Sequence, residues 1–348
     1  MKIIEQHLTE IEPTWQEFTL VNDNQTEVSF LNYGGIITEI KTPDQDGNVE
    51  NIVLGFEDYR DYTANPAFFG AIIGRVAGRI PNASLPINNQ TYQLSANEGI
   101  NHLHGGPNGF HSVLWEAESF RTDHSVGVTL THRSPDNDGG YPGTLDVDVT
   151  YELDNQNRFT ITYHAKTDKT TPLALTNHSY FNLSGNGKHT VENHSITMPS
   201  KRFAELDSNF IPTGNILDAA GTPFDFTNGR HIKGSIESDH PQNKIVGSGY
   251  DHYFLFVNRV KPDVKVCEPE SGRTLTVTTD EPGMVMYTSN NLDENLKLKS
   301  GTSRNYMGLC LETQRHPATL SHSNFPPILL TPEKEYRSRT TFTFDTED

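Results

Sequence analysis

The sequence predicts an all-β protein, built as a single large antiparallel β-sandwich with few short helices. Several segments alternate apolar and polar residues with the period of a half-buried strand. Gly and Pro interrupt the chain at short intervals, and amphipathic helical stretches are few. Many short strands at such spacing favour a sandwich or a barrel. Because the chain shows no internal repeat of about 20 to 50 residues, a propeller or a solenoid is not expected.

The alternating segments are the clearest predicted strands. Residues 145–151 and 159–163 alternate apolar and polar side chains on either side of a polar turn. Near the C-terminus, residues 274–278 and 339–344 repeat the pattern. Residues 233–236 predict a turn or one helical turn at most. These strands indicate a sheet with one face in the core and one face in water.

Composition and charge narrow the class of protein. Asp and Glu outnumber Lys and Arg by 45 to 27, and the net charge of −18 disfavours nucleic acid, anionic membranes and phosphorylated substrates as partners. The chain has no apolar run of about 18 residues and no signal-peptide core, so we expect a cytoplasmic protein. Cys267 and Cys310 lack the spacing of a metal or redox motif. Since no low-complexity linker divides the chain, one domain over residues 1–348 is predicted.

The most informative segment for function is Thr-Asn-His-Ser-Tyr-Phe-Asn-Leu-Ser-Gly at residues 176–185. It follows a β-type run at 171–175 and places His178 at a strand end. Histidine is the side chain best suited to exchange a proton near neutral pH. The polar residues around it can bond sugar hydroxyls, and an aromatic ring can cover a sugar face. Taken alone, the segment is also explained by a histidine satisfied within a turn.

A second segment, residues 308–314, predicts a buried strand that carries one carboxylate. Glu312 is costly to bury unpaired, so it should have polar partners or a raised pKa. The alternative is that Glu312 points outward from an edge strand. The following residues, 314–317, end the strand and are candidates for the wall of a cleft.

Three more groups of polar residues are candidates for a binding site. His102 and His104 form an H-x-H pair, which on a strand puts both imidazoles on one face at a metal-ligand spacing. With no further ligand cluster nearby in sequence, we favour a histidine that donates to a substrate hydroxyl over a metal site. Arg75 and Arg79 are candidates to present a guanidinium group to vicinal hydroxyls or to Glu312. The alternative is that both are surface arginines, and this alternative is strongest for Arg75. Asp251, before an apolar strand at 253–257, is a turn residue or an acceptor for sugar hydroxyls.

Together these segments resemble the aldose 1-epimerases, also called galactose mutarotases. The resemblance covers nearly the whole chain, and its motifs follow in the family's order. They lie at residues 33–37, 53–56, 74–81, 101–106, 138–143, 176–185, 250–252, 311–314 and 325–330. Each motif alone is weakly specific, but the ordered set is strongly specific.

The resemblance implies the galactose mutarotase-like supersandwich and interconversion of the α and β anomers of free hexoses such as glucose and galactose. In this reading Glu312 matches the catalytic base and His178 the catalytic acid. Arg79, His104 and Asp251 match residues that hold the sugar, and Tyr180 joins them. The chemistry needs no metal or other cofactor, and we expect a monomer or a homodimer. We also expect His178 to stay protonated and Glu312 to stay ionised, with donors such as Arg79.

Two positions depart from the family's pattern, and three other functions stay open. Gly78 stands where many members carry Asn, and Val285 where many carry Gln, which leaves substrate preference open. A glycoside hydrolase would need two carboxylates, here Glu312 and Asp251. A non-catalytic sugar-binding module would need no acid–base pair. A hexose-6-phosphate epimerase would need an arginine cluster around the phosphate.

Overall fold

The computed structural model describes residues 1–256 and 261–347, so Val257, the end of the predicted strand at 253–257, and Asp348 lie outside the described residues. Strands make up most of the regular structure. In chain order they are β1 (Lys2–His7), β2 (Gln16–Val21), β3 (Glu27–Leu31), β4 (Ile37–Pro43), β5 (Val49–Asn51), β6 (Ile72–Ile73), β7 (Arg79–Ile80), β8 (Ser84–Ile87), β9 (Gln90–Gln93), β10 (His102–Leu103), β11 (Glu116–Arg121), β12 (Ser125–Ser134), β13 (Leu145–Asp154), β14 (Arg158–Thr167), β15 (Thr171–Pro172), β16 (Thr176–Asn177), β17 (Tyr180–Phe181), β18 (Ser195–Thr197), β19 (Arg202–Leu206), β20 (Pro212–Asp218), β21 (Arg230–His231), β22 (Asp251–Leu255), β23 (Val264–Cys267), β24 (Arg273–Thr279), β25 (Gly283–Tyr287), β26 (Lys297–Leu298), β27 (Gly301–Thr302), β28 (Leu309–Thr313), β29 (Leu329–Leu330) and β30 (Tyr336–Thr346).

Helices are short throughout the described residues. The two α-helices are α1 (Lys233–Ile236) and α2 (Pro241–Ile245). Short 3₁₀ turns lie at Tyr59–Thr63, Pro81–Ala83, Phe110–Ser112, Asp138–Gly140, Val191–Asn193 and Pro317–Leu320. The single helical turn predicted at 233–236 is confirmed as α1. No helix within the described part of the chain is long and apolar enough to cross a membrane.

Three antiparallel sheets form the body of the fold. A nine-stranded sheet has the order β11-β12-β13-β14-β30-β24-β23-β18-β21, a six-stranded sheet β17-β28-β25-β22-β19-β20, and a five-stranded sheet β1-β2-β3-β4-β5. Five two-stranded ladders complete the set: β7 with β10, β15 with β29, β6 with β16, β26 with β27, and β8 with β9. The predicted all-β antiparallel fold with few helices is therefore confirmed.

The four segments predicted as strands from their alternating pattern are confirmed, and they lie side by side in the nine-stranded sheet. They fall in β13, β14, β24 and β30, which are neighbours in the order β13-β14-β30-β24. Their alternation becomes alternate burial. In β13, for example, Val147 and Val149 are buried, whereas Asp146 between the buried Leu145 and Val147 is exposed. The period of two puts one set of side chains in the core and the other in water.

The core lies between the nine-stranded sheet and the two smaller ones. Phe342 of β30 packs against Phe181 of β17, with ring centroids 5.3 Å apart. Tyr151 of β13 meets the ring of Phe30 in β3 edge-on at 4.8 Å. One apolar cluster includes buried residues of all three sheets. One face of the six-stranded sheet thus packs in the core, and its opposite face lies outside this shared core.

Buried histidines predict that the fold is sensitive to acid. Three of them, His194, His252 and His316, are buried, and burial lowers their pKa values to about 4, about 3 and about 3. A ring nitrogen of each of these histidines also accepts a hydrogen bond from a backbone N–H, and the donors are Leu183, Asp251 and Ala318, respectively. Because a protonated ring has no free acceptor nitrogen, these bonds need the neutral ring. Below their ordinary pKa near 6.5, the unfolded chain therefore binds protons that the folded chain excludes.

We expect the free energy of unfolding to fall as the pH drops from 6.5 towards 4, by about 1.4 kcal/mol per pH unit for each of these histidines. Asp251 and Glu312, whose pKa values are raised, act in the opposite direction but are fewer. Urea unfolding across this pH range measures the slope, and His194→Gln should make it shallower. A free energy of unfolding that stays constant down to the acid end of the range would contradict the expectation.

Candidate active site

The register of the six-stranded sheet brings a row of polar side chains to its outer face. Glu312 in β28 lies opposite Val285 in β25. In the same ladders Tyr287 lies opposite both Cys310 and Asp251. Because side chains alternate along a strand, the neighbours Leu309, Leu311 and Met286 point into the core. The strand β28 lies between β17 and β25, so the alternative that Glu312 points outward from an edge strand is wrong.

A cavity of about 390 Å³ opens over this face. All six residues that the sequence singled out as catalytic or binding groups line it: Arg79, His104, His178, Tyr180, Asp251 and Glu312. Gln314 and His316 form part of its wall, which confirms the expectation for the segment after the strand. The structure therefore brings together groups separated by more than two hundred positions in the chain.

His178 and Glu312 lie against each other at the base of the cavity. His178 follows β16, and its backbone is fixed on both sides because its N–H donates to Ala71 and its carbonyl accepts from Gly70. The Nε2 atom lies 3.6 Å from Oε1 of Glu312. On the other side of the ring, Nδ1 lies 3.6 Å from Sγ of Cys310. Both side chains are buried, with relative exposures of 6% and 4%.

Burial sets the protonation of this pair. It lowers the pKa of His178 to about 4, and it raises the pKa of Glu312 well above its ordinary 4.5. The charge of Asp251 raises the pKa of Glu312 further, and that of Arg79 lowers it. The expectation of a protonated His178 near neutral pH is therefore wrong, and burial also opposes the expected ionised Glu312, because loss of water favours both neutral forms. Because the pKa of Glu312 lies above that of His178, a proton shared by the two groups sits on the carboxyl group.

Aromatic rings enclose the imidazole. Phe68 contacts His178 with ring centroids 6.0 Å apart, and it meets His104 and His111 edge-on at 4.9 Å each. Tyr180 lies 5.1 Å from His178, and its hydroxyl donates to the carbonyl of Ala67. With the hydroxyl of Tyr180 already bonded, the ring is the part of this side chain available to a ligand.

The H-x-H pair does not share one face, contrary to the expectation from the sequence. The strand β10 ends at Leu103, and His104 takes a left-handed backbone with φ of 52°. His102 is buried away from the cavity, where its ring nitrogens bond the carbonyl of Ser95 and the hydroxyl of Tyr141. His104 alone of the two lines the cavity.

Three possible metal ligands do come together in space. One ligand atom each from His104, His178 and Glu312 lie within 4.8 Å of one another, a proximity that sequence spacing did not reveal. Catalytic zinc sites use three such ligands. However, Nδ1 of His104 accepts the backbone N–H of Gly78 at 3.2 Å. Its Nε2 therefore carries the proton and acts as a donor, which suits a hydroxyl oxygen better than a metal.

The two arginines have different environments. Arg79 grips Glu98 through Nε and Nη2, each 2.8 Å from a different carboxylate oxygen, and its Nη1 lies 3.9 Å from Asp251. The guanidinium thus pairs with Glu98 and not with Glu312. Arg75 is 2% exposed and lies outside the cavity. It donates to Ser134, Pro135, Pro142 and Gly143, so its reading as a surface or substrate-binding residue is wrong, and it joins loops inside the fold.

Several cavity residues were missed by the sequence argument. Glu98, Phe68, Phe210 and Tyr287 all line the cavity. Phe210 covers the guanidinium of Arg79 at 5.3 Å. Phe68 has φ of 56°, a strained conformation for a bulky residue that often marks a functional position. Local sequence carries no sign of this strain, although Glu98 lies within a few positions of the recognised segment at 101–106.

The two departures from the family's pattern lie at the cavity. Gly78 has φ of 86°, and a Cβ atom there would lie 3.2 Å from Cγ of Pro317 and 3.8 Å from Nε2 of His316. A side chain at this position would therefore point towards the His316 wall. Val285 lies directly opposite Glu312 and presents only methyl groups to the carboxylate.

Comparison with known proteins identifies the family. The family model described as aldose 1-epimerase matches residues 16–343. The chain belongs to the aldose 1-epimerase family.

Curated relatives within this family share more than a third of their residues with the chain. Galactose mutarotase of Sus scrofa is 37% identical over 334 residues, which cover 95% of this chain and 94% of the relative. Aldose 1-epimerase of Escherichia coli K12 is 34% identical over 336 residues, covering 94% and 95%. Among solved structures, galactose 1-epimerase of Lactobacillus acidophilus superposes with a TM-score of 0.90 at 28% identity and covers both chains fully. The fold predicted from the family resemblance is therefore confirmed.

Proposed function

We propose that this member of the aldose 1-epimerase family interconverts the α and β anomers of free hexoses such as glucose and galactose. One observation carries the proposal: a buried carboxyl and a buried imidazole lie 3.6 Å apart at the base of a cavity lined by hydrogen-bonding groups. A single domain over residues 1–348 is part of the proposal, supported by the apolar core that the three sheets share.

Glu312 and His178 act on the two oxygens bonded to the anomeric carbon. These oxygens lie closer together than the two side chains do, so each side chain has a different oxygen within hydrogen-bond reach. Glu312 takes the proton of the C1 hydroxyl, and His178 gives a proton to the ring oxygen. The C1–O5 bond breaks, the aldehyde turns about C1–C2, and the ring closes on the other face with the two roles exchanged.

The directions of the two pKa shifts suit this cycle. Ring opening leaves a protonated Glu312 and a neutral His178, which are the forms that burial favours. Starting the cycle needs only a shift of the same proton from carboxyl to imidazole across the pair, with no exchange with solvent. Hydroxyls of the bound sugar that donate to Glu312 favour that shift because they stabilise the carboxylate.

The remaining cavity residues hold the sugar in this proposal. Nε2–H of His104 donates to a hydroxyl oxygen, Asp251 accepts from hydroxyls, and Nη1 of Arg79 donates. The ring of Tyr180 packs against the sugar. Among the described residues that line the cavity, Arg79 is the only Lys or Arg. A hexose 6-phosphate would find no arginine cluster here, so the site favours an unphosphorylated sugar.

Polarimetry tests the proposal. Freshly dissolved α-D-glucose and α-D-galactose should approach their equilibrium rotation faster with the protein than without it. Acceleration with neither sugar would contradict the proposal. Acceleration with glucose 6-phosphate alone would support the phosphate-specific alternative. Binding of sugar without acceleration would support a binding module, and release of sugar from a nitrophenyl glycoside would support a hydrolase.

Position 285 gives a prediction about affinity. In Val285→Gln the new amide lies beside Glu312 and reaches the cavity, where it can bond a sugar hydroxyl. One added hydrogen bond should lower KM for glucose or galactose by about 2- to 10-fold. Val285→Met, with a similar shape and no amide, is the matched control. An equal change of KM in both variants would assign the effect to packing.

A further inference from the structure

Glu98 has no role in the proposed chemistry, yet it makes a two-point charged contact with Arg79 in the cavity. Its two carboxylate oxygens bond Nη2 and Nε of Arg79 at 2.8 Å each. Such a paired, charged contact fixes the plane of the guanidinium as well as its position. The side chains of Arg79 and Glu98 are 19% and 35% exposed, so water weakens the pair only in part.

The loop that carries Glu98 is itself fixed. Its backbone N–H donates to the carbonyl of Asn101, and its own carbonyl accepts from Asn101 in return. The side chain of the preceding Asn97 bonds both the N–H and the carbonyl of Leu103. Leu103 in turn pairs with Arg79 between β10 and β7. The carboxylate is thus anchored to the strand next to the arginine it holds.

The cavity gives Arg79 other acidic partners. Asp251 and Glu312 also line it, and Asp251 already lies 3.9 Å from Nη1. Without Glu98, the long side chain of Arg79 would be drawn towards these two carboxyl groups, because opposite charges attract strongly in a cavity with little water. A direct ion pair with either one would occupy oxygens that the proposed function assigns to the sugar.

We propose that Glu98 is a positioning residue: it holds Arg79 by one edge, so that Nη1 of Arg79 and the carboxyl groups of Asp251 and Glu312 stay available to the sugar. This inference rests on the proposed function. Phe210 supports the arrangement from the face of the guanidinium. The raised pKa of Glu312 agrees with it, since a closely paired arginine would lower that pKa.

The environment of Glu312 determines what loss of Glu98 does to the pH dependence. The titratable groups that line the cavity with Glu312 are Arg79, Glu98, His104, His178, Tyr180, Asp251, Tyr253, Tyr287, Asp293 and His316, and Cys310 lies two residues away on the same strand. Arg79 is the one permanent cation in this set, so its movement towards Glu312 lowers the pKa of the carboxyl. Glu312 and His178 then lose their shared proton at a lower pH, so the fall in kcat/KM caused by that loss also moves to lower pH.

The test is a double-mutant cycle on mutarotation. Glu98→Gln should raise KM about 10-fold or more and shift the higher-pH limb of kcat/KM to lower pH, with a smaller change in kcat at the optimum. Glu98→Asp, which keeps the charge on a shorter arm, should recover part of the loss. In an Arg79→Lys background, Glu98→Gln should change KM far less, because Glu98 acts through Arg79.

Each outcome bears on a different claim. If the wild-type protein does not accelerate mutarotation, the proposed function fails and not this inference alone. If the wild type is active and Glu98→Gln keeps its KM and pH profile, the positioning role is overturned. Full additivity of the two substitutions would also overturn it. A loss of thermal stability, with an apparent kcat lowered in proportion to the unfolded fraction and an unchanged KM, would mean that Glu98 serves the fold.

Discussion

Replacing Glu312 by Gln should lower kcat for mutarotation by at least ~100-fold while the protein stays folded. Gln has nearly the same shape, but it cannot take the proton of the C1 hydroxyl. The fold should tolerate the change because burial and the charge of Asp251 both disfavour the ionised carboxyl, so a neutral amide of nearly the same shape suits this position. Polarimetry gives kcat, and circular dichroism with a thermal melt confirms folding. We expect the melting temperature to be unchanged or slightly higher.

Glu281→Gln is the matched control for that variant. Glu281 is also a buried glutamate, 3% exposed, but it bonds the hydroxyl of Tyr336 and does not line the cavity. Its replacement should leave kcat within a few-fold of the wild type. Turnover near the wild-type level in folded Glu312→Gln would remove Glu312 from the mechanism. An equal loss in both variants would indicate a general effect on the fold.

The fold was largely predictable because its information is local. The alternation at 145–151 and 339–344 needs only the period of a strand and the demand that apolar side chains leave water. Those segments became β13 and β30, with buried and exposed residues where the pattern puts them. The strand order β14-β30-β24 was not predictable in this way. It depends on pairs such as Phe159 with Phe342, which are about 180 positions apart in the chain.

The residues of the candidate site were identified from the sequence, and they do lie in one cavity, but their electrostatics were not predictable. His178 and Glu312 were recognised from short segments, and the structure places both in one cavity. The directions of their pKa shifts were not foreseen because the acidic sequence suggested a nearby negative field, whereas the first cause of both shifts is loss of water. Burial depends on neighbours such as Phe68 and Tyr180, which pack on His178 from elsewhere in the fold. Sequence spacing does not report such contacts.

Arg75 and Glu98 show the same limit from two sides. Arg75 looked like a surface residue, yet it donates inside the fold to carbonyls of a loop about sixty positions away. Glu98 was not singled out in the sequence, yet it holds the arginine of the cavity. In both cases the partner of a charged group decides its role. Because these partners come from the tertiary fold, the role of a charged residue is equally hard to assign from sequence inside and outside a recognised motif.

Replacing His178 by Asn should also lower kcat by at least ~100-fold, since the amide cannot exchange a proton with the ring oxygen. A second readout separates this role from packing. In the wild type, kcat/KM should fall as the pH drops through about 4, where His178 takes a second proton into the pair. The pKa of His178 is depressed, so this loss occurs below its ordinary 6.5 and not near it. This acid limb of the pH profile should be absent from the residual activity of His178→Asn.

His111→Asn is the control for the surroundings of His178. His111 meets the same Phe68 ring at 4.9 Å and has a pKa lowered to about 4 by burial, but it does not line the cavity. If His178 supplies proton transfer, His111→Asn keeps the wild-type kcat and the fall in kcat/KM near pH 4. If support of Phe68 is what matters, both variants lose activity alike and the acid limb stays in each. Wild-type turnover in folded His178→Asn would leave Glu312 without its partner and would require another acid, for which His104 is the nearest imidazole in the cavity.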